Sequence, residues 1–420
     1  MRTALSQENR MKATMVIPSY WGRKKDEGWI QTDSVYDHPT PLDEEGTLGR
    51  ILDSFSILNN RNFNCVILGV ATAEDIQEAV EQKLSSIIRD AKLEIPTYLY
   101  SYSQQRIIHR HLAQNNLDEL NALVQLDGYS NVRNQCLLLP HILGSEIAVL
   151  IDDDEIFEDP NFMDKAQEYI GKTVDDERML AIAGYYINPD NDFLLNRDVQ
   201  AWMTYWNKID CMNRAFKKFI SEGPRIKETP FAFGGNLVIH HDLFTQVPFD
   251  PSIPRGEDID FLINARMFGY KTYLDNQLSI KHDAPPKTYP VWRRVREDLL
   301  RFVFEKNKLD AQTDIPRMDR VFPEDLDPYP GEFLKGDLEE KIFRSNQMLA
   351  IDCLRQGDEN GALECLNNIA IAQENLQPQT DLFQNLLDLQ NKWARLMKYF
   401  SSDNASQDVC HAFGFPGLDR

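Results

Sequence analysis

The sequence contains no run approaching the ~18 apolar residues that a membrane span needs, and no positively charged start leading into an apolar segment. These absences predict a chain with no transmembrane segment or export signal and a cytoplasmic location. Cysteine is scarce: six residues, at 65, 136, 211, 353, 365 and 410, lie in 420 without paired or metal-type spacing. That pattern argues against a disulfide framework or a cysteine-bound zinc and predicts reduced thiols. Positive charge is also short, 45 Lys and Arg against 66 Asp and Glu, a formal charge of −21. Such a field repels nucleic acid and anionic lipid, so neither is an expected partner. It does not exclude a phosphate ligand, provided a metal or a local basic group neutralises the pocket. Internal repeats are lacking too.

The 42% of hydrophobic residues are ample for a core. Thr14–Ile17 reads as a buried strand stopped at Pro18, and a long polar loop is expected over 22–46. Leu48–Leu58 has helical apolar spacing, Cys65–Val70 reads as the next strand, and Ala73–Arg89 as an amphipathic helix. A third strand over Tyr98–Tyr102, a polar helix over Gln104–Leu126 and a helix over Val132–Leu143 interrupted near Pro140 follow. Strands alternating with helices, and nearly continuous in apolar residues, predict an α/β sheet covered on both faces. Further on, helices are expected over 161–170 and 202–219, a strand over Leu180–Tyr186, and a strand-like piece over Lys271–Leu274.

Ile147–Ile151 is the strongest strand signal, and it runs directly into Asp152-Asp153-Asp154-Glu155. The carboxyl edge of an open α/β sheet is where ligands bind. Asp152 and Asp154, two apart, can converge there on a hard divalent cation, which prefers carboxylate, phosphate and water oxygens. The plainer alternative is a solvated acidic turn. A second group comprises Phe233-Gly234-Gly235-Asn236 and Arg255-Gly256-Glu257-Asp258-Ile259-Asp260-Phe261. The glycines permit close backbone approach to a ligand. The acids open an apolar helix, where they are favoured electrostatically whatever else they do. His282 stands between Lys281 and Asp283, an unusual setting for a core histidine.

Taken in order, these segments resemble the GT-A class of nucleotide-sugar-dependent glycosyltransferases, in its family 2-like or galactosyltransferase-like form. The resemblance rests on Val16-Ile17-Pro18-Ser19-Tyr20, Val132-Arg133-Asn134, Ile151-Asp152-Asp153-Asp154 as the DxD motif, the Gly234-Gly235 and Glu257-Asp258 elements, and His282, over about residues 12 to 285. It implies a Rossmann-like mixed sheet sandwiched by helices, with a Mg2+ or Mn2+ cofactor and a nucleoside-diphosphate sugar as donor. It also implies metal ligands Asp152, Asp154 and His282, and donor contacts at Pro18, Tyr20, Arg133, Asn134, Asp152, Asp153, Gly234 and Gly235. Asp258 is implied as the general base of an inverting transfer to an acceptor hydroxyl, with Glu257 orienting hydroxyls. The second strand departs from the pattern, ending in Gly69-Val70-Ala71 without the acidic residue that often contacts base or ribose, and the insertions at 22–46 and 102–130 are unusual.

Tyr185, Tyr186, Trp202, Tyr205 and Trp206 can form an aromatic platform for an acceptor or simply pack, and Arg255 adjoins the acidic motif. Arg293, Arg294 and Arg296 can close on phosphates or can be solvated charges on a helix. The resulting layout is a catalytic domain over 1–308 (nucleotide half about 12–155, acceptor half about 156–308), a linker over 309–336, a helical extension over 337–400 and a flexible tail over 401–420. The extension is expected to serve packing or homo-oligomerisation. Competing functional readings are a retaining transferase of the same fold, a sugar-nucleotide nucleotidyltransferase, and an inactive carbohydrate- or protein-binding module.

Overall fold

The computed structural model describes residues 11–195, 199–285 and 290–415. The first ten residues and the last five of the expected tail lie outside that range. The first half of the chain supplies β1 (Ala13–Gly22), β2 (Thr40–Pro41), α1 (Leu48–Ser54), β3 (Asn64–Ala71), α2 (Gln77–Ala91), β4 (Thr97–Tyr100), α3 (Tyr102–Gln114), α4 (Tyr129–Ile142), β5 (Ile147–Ile151) and β6 (Glu155–Ile156). Then come α5 (Phe162–Ala166), the small ribbon β7 (Thr173–Val174) and β8 (Glu177–Arg178), β9 (Ala181–Ile187), α6 (Lys208–Phe216), β10 (Ile226–Glu228), β11 (Asn236–His240), α7 (His241–Phe244), α8 (Glu257–Met267) and β12 (Thr272–His282). Helices α9 (Val291–Asp310), α10 (Leu338–Arg355), α11 (Glu359–Asn375), α12 (Leu382–Phe400) and α13 (Asp403–Phe413) complete the chain.

The strands form one mixed sheet ordered β10-β12-β9-β11-β5-β1-β3-β4, with β2 beside β1 and β6 beside β12. Strands β5, β1, β3 and β4 run parallel, as mostly apolar strands fed by helical crossovers do. β11 is antiparallel to both β5 and β9, and β12 is parallel to β9. The carboxyl ends of β1, β5, β9 and β12 therefore share one edge of the sheet, together with the amino end of β11. This is the mixed sheet between helices, followed by a helical carboxyl-terminal part, that the sequence predicts.

Several boundaries differ from the expectations. β1 continues through Pro18 to Gly22: β5 pairs with it only as far as Val16, and around Pro18 it has β3 as its one neighbour before β2 joins at Trp21. A proline is tolerated where a strand has lost one neighbour. Helix α4 passes through Pro140 unbroken, since only three residues of helix remain there and one backbone bond is forfeited. The strand-like piece expected over Lys271–Leu274 is the beginning of an eleven-residue strand, β12, which runs on to His282 with an irregularity between Leu274 and Ser279. The stretch read as a linker is packed: Val321, Leu326, Tyr329, Phe333 and Leu334 are buried in one apolar cluster with Trp206 and Phe302. The expected flexible tail instead forms α13, held by Ala405, Val409 and Cys410 against the cluster that includes α3 and α4.

Helix α9 joins the halves. Arg296 reaches Glu364 and Asn368 of α11, so it is neither free to close on phosphate nor a solvated charge. Lys308, fully buried, sits 2.7 Å from Asp260, 3.0 Å from Asp250 and 3.1 Å from Asn264. Removing one partner of such a cluster strands the others in a low-dielectric interior. Lys308→Ala is expected to lower unfolding free energy by about 3–5 kcal/mol in urea titration. A loss under about 1 kcal/mol would mean that water reaches the two carboxylates and replaces the ammonium.

Candidate active site

The shared strand edge opens into a cavity of about 900 Å³. Its wall carries Pro18 and Tyr20 from β1, Arg133 from α4, and Asp152, Asp153 and Asp154 from the turn after β5. Gly234, Arg255, Glu257 and Asp258 join them, with His282 from the end of β12 and Trp202 and Trp206 from the turn before α6. Several residues singled out in the sequence do not line the cavity, among them Asn134, Gly235, Tyr185 and Tyr205. Asn134 is fully buried, and its side-chain amide satisfies both backbone groups of Phe249 at 2.9 Å. Tyr185 turns to the Phe193 ring, with centroids 6.3 Å apart.

β6 brings the acids and the histidine together: Glu155 pairs with His282 in the sheet, and the Asp283 N–H donates to the Asp154 carbonyl at 3.0 Å. His282 Nε2 consequently lies 3.4 Å from an Asp154 carboxylate oxygen, and the imidazole stacks on Tyr186 at 4.6 Å. Burial alone would raise the Asp154 carboxyl, yet contact with His282 holds it below the ordinary range. Asp153 instead accepts a 2.6 Å hydrogen bond from Ser19, and burial with the nearby Asp154 charge pushes it up to about 7. Asp152 is raised by burial against the opposing pull of Arg133, whose guanidinium contacts it at 2.8 Å and Glu257 at 3.4 Å. Arg133 thus ties the two acidic motifs to each other. Gly235 is required here: a Cβ would come within 2.6 Å of the Asp152 carboxyl and 2.3 Å of Glu155 Oε1.

Among the described residues, no group of three or more His, Cys, Asp or Glu side chains is gathered as a metal cradle. Asp154 and His282 offer an oxygen and a nitrogen side by side on the cavity, 3.4 Å apart. Such a pair suits Mg2+ or Mn2+, which keep waters and take substrate phosphate oxygens beside one or two protein ligands. The third residue expected as a ligand, Asp152, is engaged by Arg133.

Glu257 and Asp258 open α8. The residue before them, Gly256, has φ +74°, and a Cβ there would lie 2.3 Å from the Arg301 side chain. Glu257 is raised by burial and then by the Asp258 charge. Arg255 is held between Asp37 of the 22–46 loop and Glu297 of α9, which anchors that loop beside the motif.

The cavity also contains residues that sequence reasoning passed over. Tyr36, Asp37 and His38 come from the long loop, and Lys208, Asp298 and Arg301 from α6 and α9. Lys208 contacts Asp298 at 2.6 Å, and burial pushes its ammonium down to about 8. The signal for α9 was present: Asp298, Arg301, Glu305 and Lys308 recur at helical spacing along the stripe that buries Val295, Leu299 and Phe302. Charges on a buried stripe mark an internal polar network.

Glu305 gives that network a pH signature. Burial pushes its carboxyl up to about 8, and the Arg301 guanidinium, 3.4 Å away, only partly opposes this. Folded Glu305 keeps its proton to about pH 8, whereas the unfolded chain releases it near 4.5. Its contribution to stability is therefore full below pH 4.5 and is lost as pH rises through 8. Glu305→Gln is expected to flatten the decline of Tm across that window, and an unchanged slope would assign the decline to another group.

Among the described residues, no helix is long and apolar enough to cross a membrane, and all six cysteines are free thiols. No family model matches this chain, and no curated protein matches it either. Solved structures do. A mannosyltransferase of Pyrobaculum calidifontis, in complex with GDP-Man and Mn2+, is similar at 13% identity and TM-score 0.46, over 96% of this chain and 88% of that one. A mycobacterial protein is similar at 14% identity and TM-score 0.38, over 69% of this chain and 72% of that one.

Proposed function

We propose that this protein is a GT-A-type, metal-dependent glycosyltransferase that moves a sugar from a nucleoside-diphosphate sugar to an acceptor hydroxyl with inversion. The observation that carries the reading is the meeting of the Asp154–His282 pair and the Glu257-Asp258 motif on one cavity, at the carboxyl edge of the sheet. Asp154 and His282 would hold the divalent cation, which offsets charge on the departing diphosphate. Arg133 fixes Asp152, leaving its carboxylate to orient ribose or a bound water. Asp258 accepts the acceptor hydroxyl's proton. The acceptor oxygen then forms its bond to the anomeric carbon as the bond to the diphosphate oxygen breaks, and that electron pair leaves with the nucleoside diphosphate. Glu257 aligns hydroxyls beside it.

Calorimetric titration of UDP and GDP, with Mn2+ and after thorough chelation, tests the reading. Binding of at least one nucleotide is expected to need the cation. Equal affinity after chelation, or no binding of either, would overturn it.

A further inference from the structure

Beyond the strand edge the cavity changes character. Phe193, Leu194 and Leu195 line it from the segment after β9, and Met203, Ile209 and Met212 line it from the turn before α6 and from α6 itself. All six are only half-buried, so part of their apolar surface is left open. The floor beneath is aromatic: Phe216, Phe231 and Phe233 pack ring against ring with centroids 5.1–5.8 Å apart. Half-open apolar side chains on a concave wall gain by exchanging water for a ligand body. Two methionines among them provide a wall that adapts to more than one shape. The buried Trp206 indole N–H has no protein partner and supplies one donor on this side.

The charges nearby favour a neutral occupant. Lys208 is matched by Asp298, whose charge also acts on Arg301, and Arg255 by Asp37 and Glu297. A phosphorylated molecule would have to displace these carboxylates and meet Asp258 and Glu257 as well. At about 900 Å³ the cavity lies near the upper end of the ~300–1,000 Å³ usual for ligand sites, which leaves room beside a donor.

We propose that the acceptor is an uncharged molecule with an alkyl or aromatic body, seated on the wall formed by Leu194, Leu195, Met203, Ile209 and Met212 and carrying the hydroxyl that Asp258 deprotonates. The identity of the occupant rests on the glycosyltransferase reading; the apolar site itself does not. In the transfer, the acceptor O–H bond breaks toward Asp258, and the new C–O bond replaces the one to the diphosphate.

The neutral fluorophore N-phenyl-1-naphthylamine serves as the probe, titrated into the full chain. Saturable binding is expected, displaced by 1-octanol but not by glucose, and with octyl phosphate no stronger than octanol. Met212→Glu and Leu195→Asp, on different segments, place a carboxylate in the apolar wall. Each is expected to weaken the probe by about tenfold or more while cation-dependent nucleotide binding persists. Circular dichroism checks that both variants fold. Non-saturable binding, or affinity unchanged in both folded variants, overturns the apolar site. Displacement by octyl phosphate about tenfold better than by octanol overturns the uncharged acceptor. Probe binding that behaves as expected while neither nucleotide binds leaves the apolar site standing and removes the transferase reading of it. Where a nucleotide-sugar donor is found, octyl glucoside is expected to be glycosylated faster than methyl glucoside, and the reverse order sinks the acceptor assignment.

Discussion

Asp258→Asn is expected to lower turnover by about 10²–10⁴-fold, the range for a positioned acid–base group. The substitution is nearly isosteric, and Asn retains the Oδ1 atom that accepts the Ile259 N–H at 2.8 Å, so the first turn of α8 keeps its geometry. What disappears is a group able to take a proton. Donor affinity is expected to change little, because the carboxylate serves the acceptor hydroxyl and acts chiefly in the transition state. The product in the wild-type reaction is expected to have the anomeric configuration opposite to the donor's, as proton NMR of a fresh mixture reads directly. Near-normal turnover in the variant would exclude Asp258 as the base. A product retaining the donor configuration would leave Asp258 as a binding residue and demand attack on the face from which the diphosphate departs. Glu257→Gln separates the two acids: it is expected to raise KM more than it lowers kcat, since orienting hydroxyls is work done in both ground and transition states.

The parts of this architecture that announce themselves in the sequence are those governed by local pattern. Ile147–Ile151 is apolar throughout because β5 is flanked on both sides in the sheet and covered on both faces, and it became the strand that delivers Asp152 to Asp154. The helix opened by Glu257 and Asp258 was visible from its cap and its apolar body. What could not be read was set by partners distant in the chain. Pro18 lies inside β1 because of where β5 stops pairing, a fact of register that no single segment contains. Glu155 meets His282 through a pairing across more than a hundred residues, and Arg133 is divided between Asp152 and Glu257 for the same reason. Tertiary contact also explains why Asn134, adjacent to Arg133, serves the Phe249 backbone while its neighbour faces the cavity. Along one helix, adjacent residues point about 100° apart, so a short motif distributes its members between site and core. The residues between 309 and 336 misled for a further reason: their prolines signal irregular backbone, which was read as a linker, whereas irregular backbone can pack as densely as helix.

Asp154→Ala is expected to weaken cation-dependent nucleotide binding by about 10²-fold or more, beyond the 10–100-fold typical of losing a supporting group around a metal. Asp154 and His282 are set side by side on the cavity, at 3.4 Å, so losing the carboxylate removes the oxygen of that pair and leaves the His282 imidazole without it. Stability without cation is expected to move far less, because two effects oppose each other. The variant loses the contact between Asp154 and His282. It also removes a negative charge that raises Asp152, Asp153 and Glu155, each of which is already penalised by burial. Relief of like-charge crowding offsets a lost pair when both depend on the same carboxylate. The measurement is paired: calorimetry of UDP or GDP with Mn2+, and thermal unfolding by circular dichroism in chelator. Retained cation-dependent binding in a folded variant would move the cation away from Asp154, toward Asp152 once Arg133 releases it. Unfolding in chelator would instead show that the Asp154–His282 contact holds β6 against β12, which makes the pair a structural clasp before it is anything else.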